Sequence, residues 1–178
     1  MESPILLSGI VGLGEIKNME IIKLKDKCGV RGKLRFIVYK AGTKKILRVS
    51  DWNENLVVLN AGHGMNLLAL RLIDDTTYDL VITQAKIGDD NTAATDDDTD
   101  LGNSILDGIL VATAAETGTS QITLEFFMAD AELNEDDYEE FGIFCGDQLF
   151  ARSVISPAHT KSIGEDTKVE YVINFNNI

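Results

Sequence analysis

The chain has 178 residues, a net charge of −13, 44% hydrophobic residues and 25% charged residues. That length suits one domain, with or without an extended arm, and buries a core without help from disulfides or a structural metal. No apolar run approaches the ~20 residues that cross a bilayer, and Met1-Glu-Ser-Pro has neither the basic start nor the apolar stretch of a secretory leader. The expectation is a soluble protein made in a cytoplasm.

Cys28 and Cys145 lie far apart and belong to no Cys-x-x-Cys pattern. With His63 and His159 they cannot complete a zinc site unless carboxylates help, so both thiols read as plain, reduced, partly buried residues. The charge is uneven. Residues 1–50 hold eleven Lys and Arg against four acids, +7, and the remainder carries −20. Such polarity points to head-to-tail packing, in which the basic part of one copy meets the acidic surface of another. Nucleic acid is not expected as a partner. The acidic bulk repels phosphate, and no basic-plus-aromatic stacking pattern stands in the basic third.

Residues 1–32 read as an extended, turn-rich arm holding Gly9, Gly12, Gly14 and Gly29 between short apolar clusters such as Ile5-Leu6-Leu7. The Gly-x-x-Gly-x-Gly run lacks the Lys-Ser/Thr of a phosphate loop and the order of a dinucleotide fingerprint. Residues 33–178 read as the folded domain. Leu34–Tyr39 and Ile46–Val49, joined through Ala41-Gly42-Thr43, predict a hairpin with Lys40, Lys44 and Lys45 at its tip. Trp52 is expected beneath it, buried.

The best helix candidate lies within 55–73, started by an Asn60 cap and carrying Met65, Leu68, Ala69 and Leu72 at helical spacing. Leu67, Leu70 and Ile73 widen its apolar surface until burial on all sides is expected. His63, between two glycines, has no second ligand at metal spacing. Residues 78–88 predict a strand ending at Gly88. Asp89–Asp100 follows as an acidic, exposed loop, because six aspartates cannot be buried unpaired. An EF-hand would need a glycine at its sixth position and a glutamate at its twelfth, and this loop has neither.

Ile105–Thr113 and Ser120–Met128 predict two more strands with a turn at Gly118, and 132–140 is acidic, with room for one helical turn. Phe141–Phe144 and Gln148–Arg152 form a further hairpin over Gly146, and 168–175 is a period-2 strand. The expected fold class is therefore mostly β, an antiparallel β-sandwich with one buried α-helix and an extended N-terminal arm.

Catalytic motifs are missing: there is no Gly-x-Ser-x-Gly, His-Glu-x-x-His or Gly-Lys-Ser/Thr. The carboxylates come in runs at 89–100 and 135–140, as on a solvated face, whereas catalytic carboxylates usually stand singly in apolar surroundings. The reading assigns no catalytic, cofactor-binding or metal-binding residue and expects no enzyme.

A series of landmarks runs in order through residues 55–178. Asn60-Ala-Gly62 leads into the helix, and a strand ending Ile87-Gly88 runs into the loop that closes on Asp100-Leu101. Asn134 precedes Glu140-Phe-Gly-Ile-Phe144, similar to Asn…Glu-x-Gly-Leu-Phe. Gly146 to Arg152 is similar to Gly-x-Leu-x-Ala-Arg, then come Pro157 and Lys161, and last Val172-Ile173-Asn174-Phe175. In this order the chain resembles a family of small tailed-phage virion proteins from tail, baseplate and fibre-attachment regions. Glu116 fits the pattern loosely, 154–161 is spaced more widely than usual, and the first 50 residues match no part of it.

The resemblance implies a virion structural protein that acts by multi-copy assembly, with copies of itself and other virion proteins as partners and no membrane. No catalytic residue transfers. Gly142 is expected where a Cβ would be blocked, Phe141, Ile143 and Phe144 as core or interface filling, and Glu140 as a local cap or pair. Capsid decoration or head–tail joining is the alternative on the same physics. A calcium- or carbohydrate-binding adhesion module built on the aspartate loop is the alternative from another class.

Overall fold

A computed structural model describes residues 28–177. The glycine run and nearly all of the expected arm lie outside the described residues. Among the described residues, one helix and ten strands follow in chain order. They are β1 (Cys28–Lys40), β2 (Ile46–Val49), β3 (Asn53–Glu54), β4 (Leu56–Val57), α1 (Gly64–Leu72) and β5 (Ile82–Gly88). The chain continues as β6 (Ser104–Gly118), β7 (Gln121–Met128), β8 (Asp137–Cys145), β9 (Gln148–Thr160) and β10 (Glu165–Asn177). The fold is mostly β and antiparallel, one curled sheet in the order β2-β1-β10-β7-β6-β5-β8-β9-β4, with β3 also on β1. Residues 28–32, read as the end of the arm, are the first residues of β1 and pair with the last residues of β10.

Two features curl the sheet. β6 is long enough to serve both halves: Ser104–Leu110 pairs with β5, and Val111–Gly118 pairs with β7. Gly108, at φ 73°, sits within the first stretch, where the register with β5 is irregular. A left-handed glycine there lets a strand bend without a steric penalty. At the far end, the short run 53–57 pairs with β1 through Asn53 and Glu54 and with β9 through Leu56 and Val57. One extended segment thereby brings the two ends of the sheet together.

Period-2 alternation sends Leu34, Phe36 and Val38 of β1 inward, with Val169, Tyr171 and Ile173 of β10 and Leu124, Phe126 and Met128 of β7. All but Val38 meet Phe141, Ile143 and Cys145 of β8 in the main core. β8 is covered on its outer face too, where Val58, Leu101, Phe144 and Leu149 form a second, smaller core. A Cβ on Gly142 would stand 2.8 Å from the Leu101 methyl Cδ2 and 3.0 Å from the Phe144 ring, so the expected close approach exists there.

Several local expectations need correction. Trp52 is not buried: it is 37% exposed, with Lys33 and Arg35 each 4.5 Å from its ring centre. The long stems of those residues cover one surface of the indole while their charges stay wet. Nor is α1 buried all round. Only Gly64 and Leu67 are enclosed, and Leu72 and the following Ile73 are 88% and 75% exposed. The apolar count was right, but the helix lies on the surface of the sheet and contacts it along one side. Its first turn starts after His63, and the Asn60 side chain instead bonds Ala61 N–H and the Asp97 carbonyl. The strand read as beginning at Tyr78 starts at Ile82, and the turn expected at Gly118 follows it, at Thr119-Ser120. Residues 132–136 make no helical turn; they form irregular turns before β8, with Leu133 and Glu135 at positive φ.

Candidate functional site

Arg152 is the most heavily engaged charge in the fold. β9 carries it beside Gly142 of β8, and its side chain is 4% exposed. Its Nε donates to Glu140 Oε2 at 2.7 Å, and its Nη1 donates to Asp98 Oδ2 at 3.0 Å. Asp90 lies 3.7 Å from Nη2, which has no hydrogen-bond partner. Glu140 is fully buried, and its remaining capacity goes to the backbone N–H groups of Gly102 and Asn103 at 3.0 and 2.8 Å. A buried charge needs such compensation.

The site explains the acidic loop. It is exposed over most of its length, as its composition demands, yet it is tied down. The Asp98 carboxylate reaches Arg152, the backbone carbonyls of Asp96 and Asp97 accept from Leu59 N–H and the Asn60 side-chain amide, and Leu101 plugs against Gly142. Burial raises the Asp98 pKa, but hydrogen bonds from Thr95 and from Arg152 outweigh it and hold the carboxyl below its ordinary value. Arg152 is moved upward: desolvation opposes its charge, and the bonds to Glu140 and Asp98 more than offset it. A hollow of about 390 Å³ between loop and sheet is lined by Asp90, Thr92, Asp97, Asp98 and Arg152, among others. Its wall carries a permanent cation held by carboxylates, the chemistry of a clamp. Among the described residues, no group of three His, Cys, Asp or Glu side chains is arranged to hold a metal ion.

A second buried cation repeats the pattern. Lys161 is fully buried, and its ammonium donates to the carbonyls of Asp130 and Glu132 at 2.9 and 2.7 Å and to Asn134 Oδ1 at 2.5 Å. Desolvation lowers its pKa against the pull of Asp130, Asp166, Glu132 and Glu165. It fastens the irregular 130–136 turn to the end of β9.

The remaining singled-out residues fall elsewhere. His159 stacks on Phe36, with centroids 4.2 Å apart, and lines a hollow of about 270 Å³ with Arg48, Ser50 and Asp51. Its Nε2 is buried and unpartnered. His63 Nδ1 is likewise enclosed without a partner. Cys145 is a free, buried thiol whose pKa burial pushes up to about 12, which leaves it an inert core residue. Glu116, on β6, is exposed and makes no ion pair among the described residues.

The structure also relocates the charge split. The seven Lys and Arg of 28–50 stand without a single acid, whereas residues 1–27 balance four Lys against four acids. The whole +7 therefore belongs to β1, β2 and their turn. Arg35 and Arg48 are paired with Glu170 and Glu165. The reading from residues missed the Arg152–Glu140 pair. Its one signal was a lone Arg inside an otherwise apolar strand run, Leu149-Phe150-Ala151-Arg152.

Neither protein-family models, curated proteins nor solved structures give a match to this chain.

Proposed function

We propose that the chain is a structural subunit of a tailed-phage virion, placed in the tail, baseplate or fibre-attachment region, that works by assembling in multiple copies. One observation carries the reading: four residues that mark the resemblance pair with each other in the fold. Glu140 bonds Arg152, and Asn134 bonds Lys161. These residues form two pins, one buried and one partly buried. Each pin fastens a loop, so the pattern describes a way of holding loops on a β scaffold. That is the property a repeated building block needs, because its contact surfaces must be presented identically in every copy.

Mass spectrometry of purified particles tests the proposal. The protein should be present in many copies per particle, and its absence from intact virions would overturn the reading. A cryo-EM map of the particle separates a tail or baseplate position from decoration of the capsid or a place at the head–tail joint.

A further inference from the structure

We infer that the β1–β2 hairpin of one copy docks on the acidic face of a second copy, built from Asp89, Glu135, Asp136 and Glu139, in a head-to-tail contact. The inference rests on the reading of the chain as a repeated subunit and names the two surfaces that meet.

The hairpin is an unfinished surface. β2 is the end strand of the sheet; all four of its residues are exposed, and Ile46, Leu47 and Val49 present apolar side chains to solvent. Beside it opens a hollow of about 550 Å³ with Tyr39 and Phe127 as aromatic walls, Lys44 at its rim and the Lys168–Glu125 ion pair across from it. Lys40, Lys44 and Lys45 are exposed at the tip and make no ion pair among the described residues. β2 is short, irregular in register beyond Arg48 and flanked by lysines, which blunts it against indiscriminate strand addition. What remains accepts an apolar surface only if acids accompany it.

The occupant follows from charge. A two-fold contact of hairpin with hairpin would set the exposed Lys40, Lys44 and Lys45 of one copy against the same three of the other, because Arg35 and Arg48 already hold their own acids. Residues 129–140 hold the complement, seven acids and no base. Several of these are occupied inside the fold. Asp130 accepts from Gly164 N–H, Asp137 from the Thr160 hydroxyl, and Glu140 from Arg152. Glu135 and Asp136 have no such side-chain partner among the described residues, and Glu139 has a single contact of 3.4 Å to Asn91. They line a hollow of about 340 Å³ with Asp89, Asp137 and Ile105, and no cation shares that wall. Lysine ammonium groups entering it would find carboxylates already converged. Because the two surfaces differ, the contact is heterologous and propagates to a ring or a filament.

The full chain is tested by sedimentation velocity at about 0.1 M and about 1 M salt, where the screening length falls from about 10 Å to about 3 Å. Association should be present at the lower salt and weaken roughly tenfold or more at the higher, as exposed charge contacts do. The variants Lys44→Glu/Lys45→Glu and Asp136→Lys/Glu139→Lys should each be monomeric, and their mixture should associate again. All four changes are at surface positions, and an unchanged circular-dichroism spectrum and melting midpoint would show that folding is intact. A monomeric parent at both salts, loss of association in one variant but not the other, or a mixture that stays monomeric would each overturn the inference. A parent that is monomeric yet found in particles would remove this contact and leave the virion reading standing.

Discussion

Glu140 and Arg152 are joined across neighbouring strands by a 2.7 Å ionic hydrogen bond from which water is excluded. Two backbone N–H groups complete the carboxylate, and Asp98 takes a second arm of the guanidinium. Arg152→Met leaves Glu140 buried and unpaired, which costs about 3–5 kcal/mol. Urea unfolding should show that loss, and Glu140→Gln/Arg152→Met should recover part of it. A single variant within about 0.5 kcal/mol of the parent would remove the clamp as a stabilising element. Amide exchange across 89–101 should also accelerate in Arg152→Met, because the loop loses its anchor.

Lys161→Met deprives two carbonyls and an amide oxygen of their donor at once. Leaving buried acceptors without partners costs about 1–3 kcal/mol each in the worst case, partly relieved where water can enter. We expect destabilisation of a few kcal/mol, with faster amide exchange concentrated in 130–136. Uniform loss of protection over the whole sheet would argue against a local fastening role.

His159 makes stability depend on mild acid. Burial first, and then the neighbouring Arg48, push its pKa down to about 4, with Glu165 pulling the other way. In the unfolded chain the ring takes its proton near pH 6.5. Between those two values the unfolded state binds more protons, so this contribution is complete above about pH 6.5 and is lost as pH falls toward 4. The loss is on the order of 3 kcal/mol at about 1.4 kcal/mol per unit of pKa. His159→Phe, which keeps an aromatic ring against Phe36, should flatten the urea midpoint over this range. A parent already flat between pH 6.5 and 4 would show that the ring is not buried neutral.

Trp52 gives a clean reading of its corrected position. An indole 37% exposed between Lys33 and Arg35 should be quenched readily by acrylamide in the native state. Trp52→Ala should cost about 1 kcal/mol, the scale of exposed cation–π contacts, against the 3–5 kcal/mol of a core tryptophan. A core-sized loss would restore the buried reading.

Much of the sheet was legible because strands announce themselves locally. The β-branched and aromatic run at 34–39 and the alternation in 120–128 and 168–175 marked strands, and glycines marked the turns at Gly42 and Gly146. What resisted was set by partners remote in sequence. The apolar surplus in 65–73 cannot say whether a helix lies under a sheet or on it, so burial was overestimated at Leu72 and Ile73. Trp52 could not be placed because Lys33 and Arg35 reach it across a strand pairing that no short pattern encodes. The aspartate loop read correctly as exposed, but its fastening needed Arg152, 54 residues beyond Asp98.

β10, the last strand in the described order, lies between β1 and β7 in the middle of the sheet. Its thirteen-residue register with β1 joins Cys28 to Asn177, the widest sequence separation among the strand pairs. Closing so large a loop carries an entropic cost that grows with its logarithm and slows folding. During synthesis β1 emerges early and waits for its main partner until residues 165–177 have left the ribosome. Until then a long, half-apolar strand edge with four cations stays open to other chains. Folding of this protein should therefore be a late and abrupt event, sensitive to concentration and to chaperone capture, and removal of residues 165–177 should leave an aggregating chain rather than a smaller stable sheet.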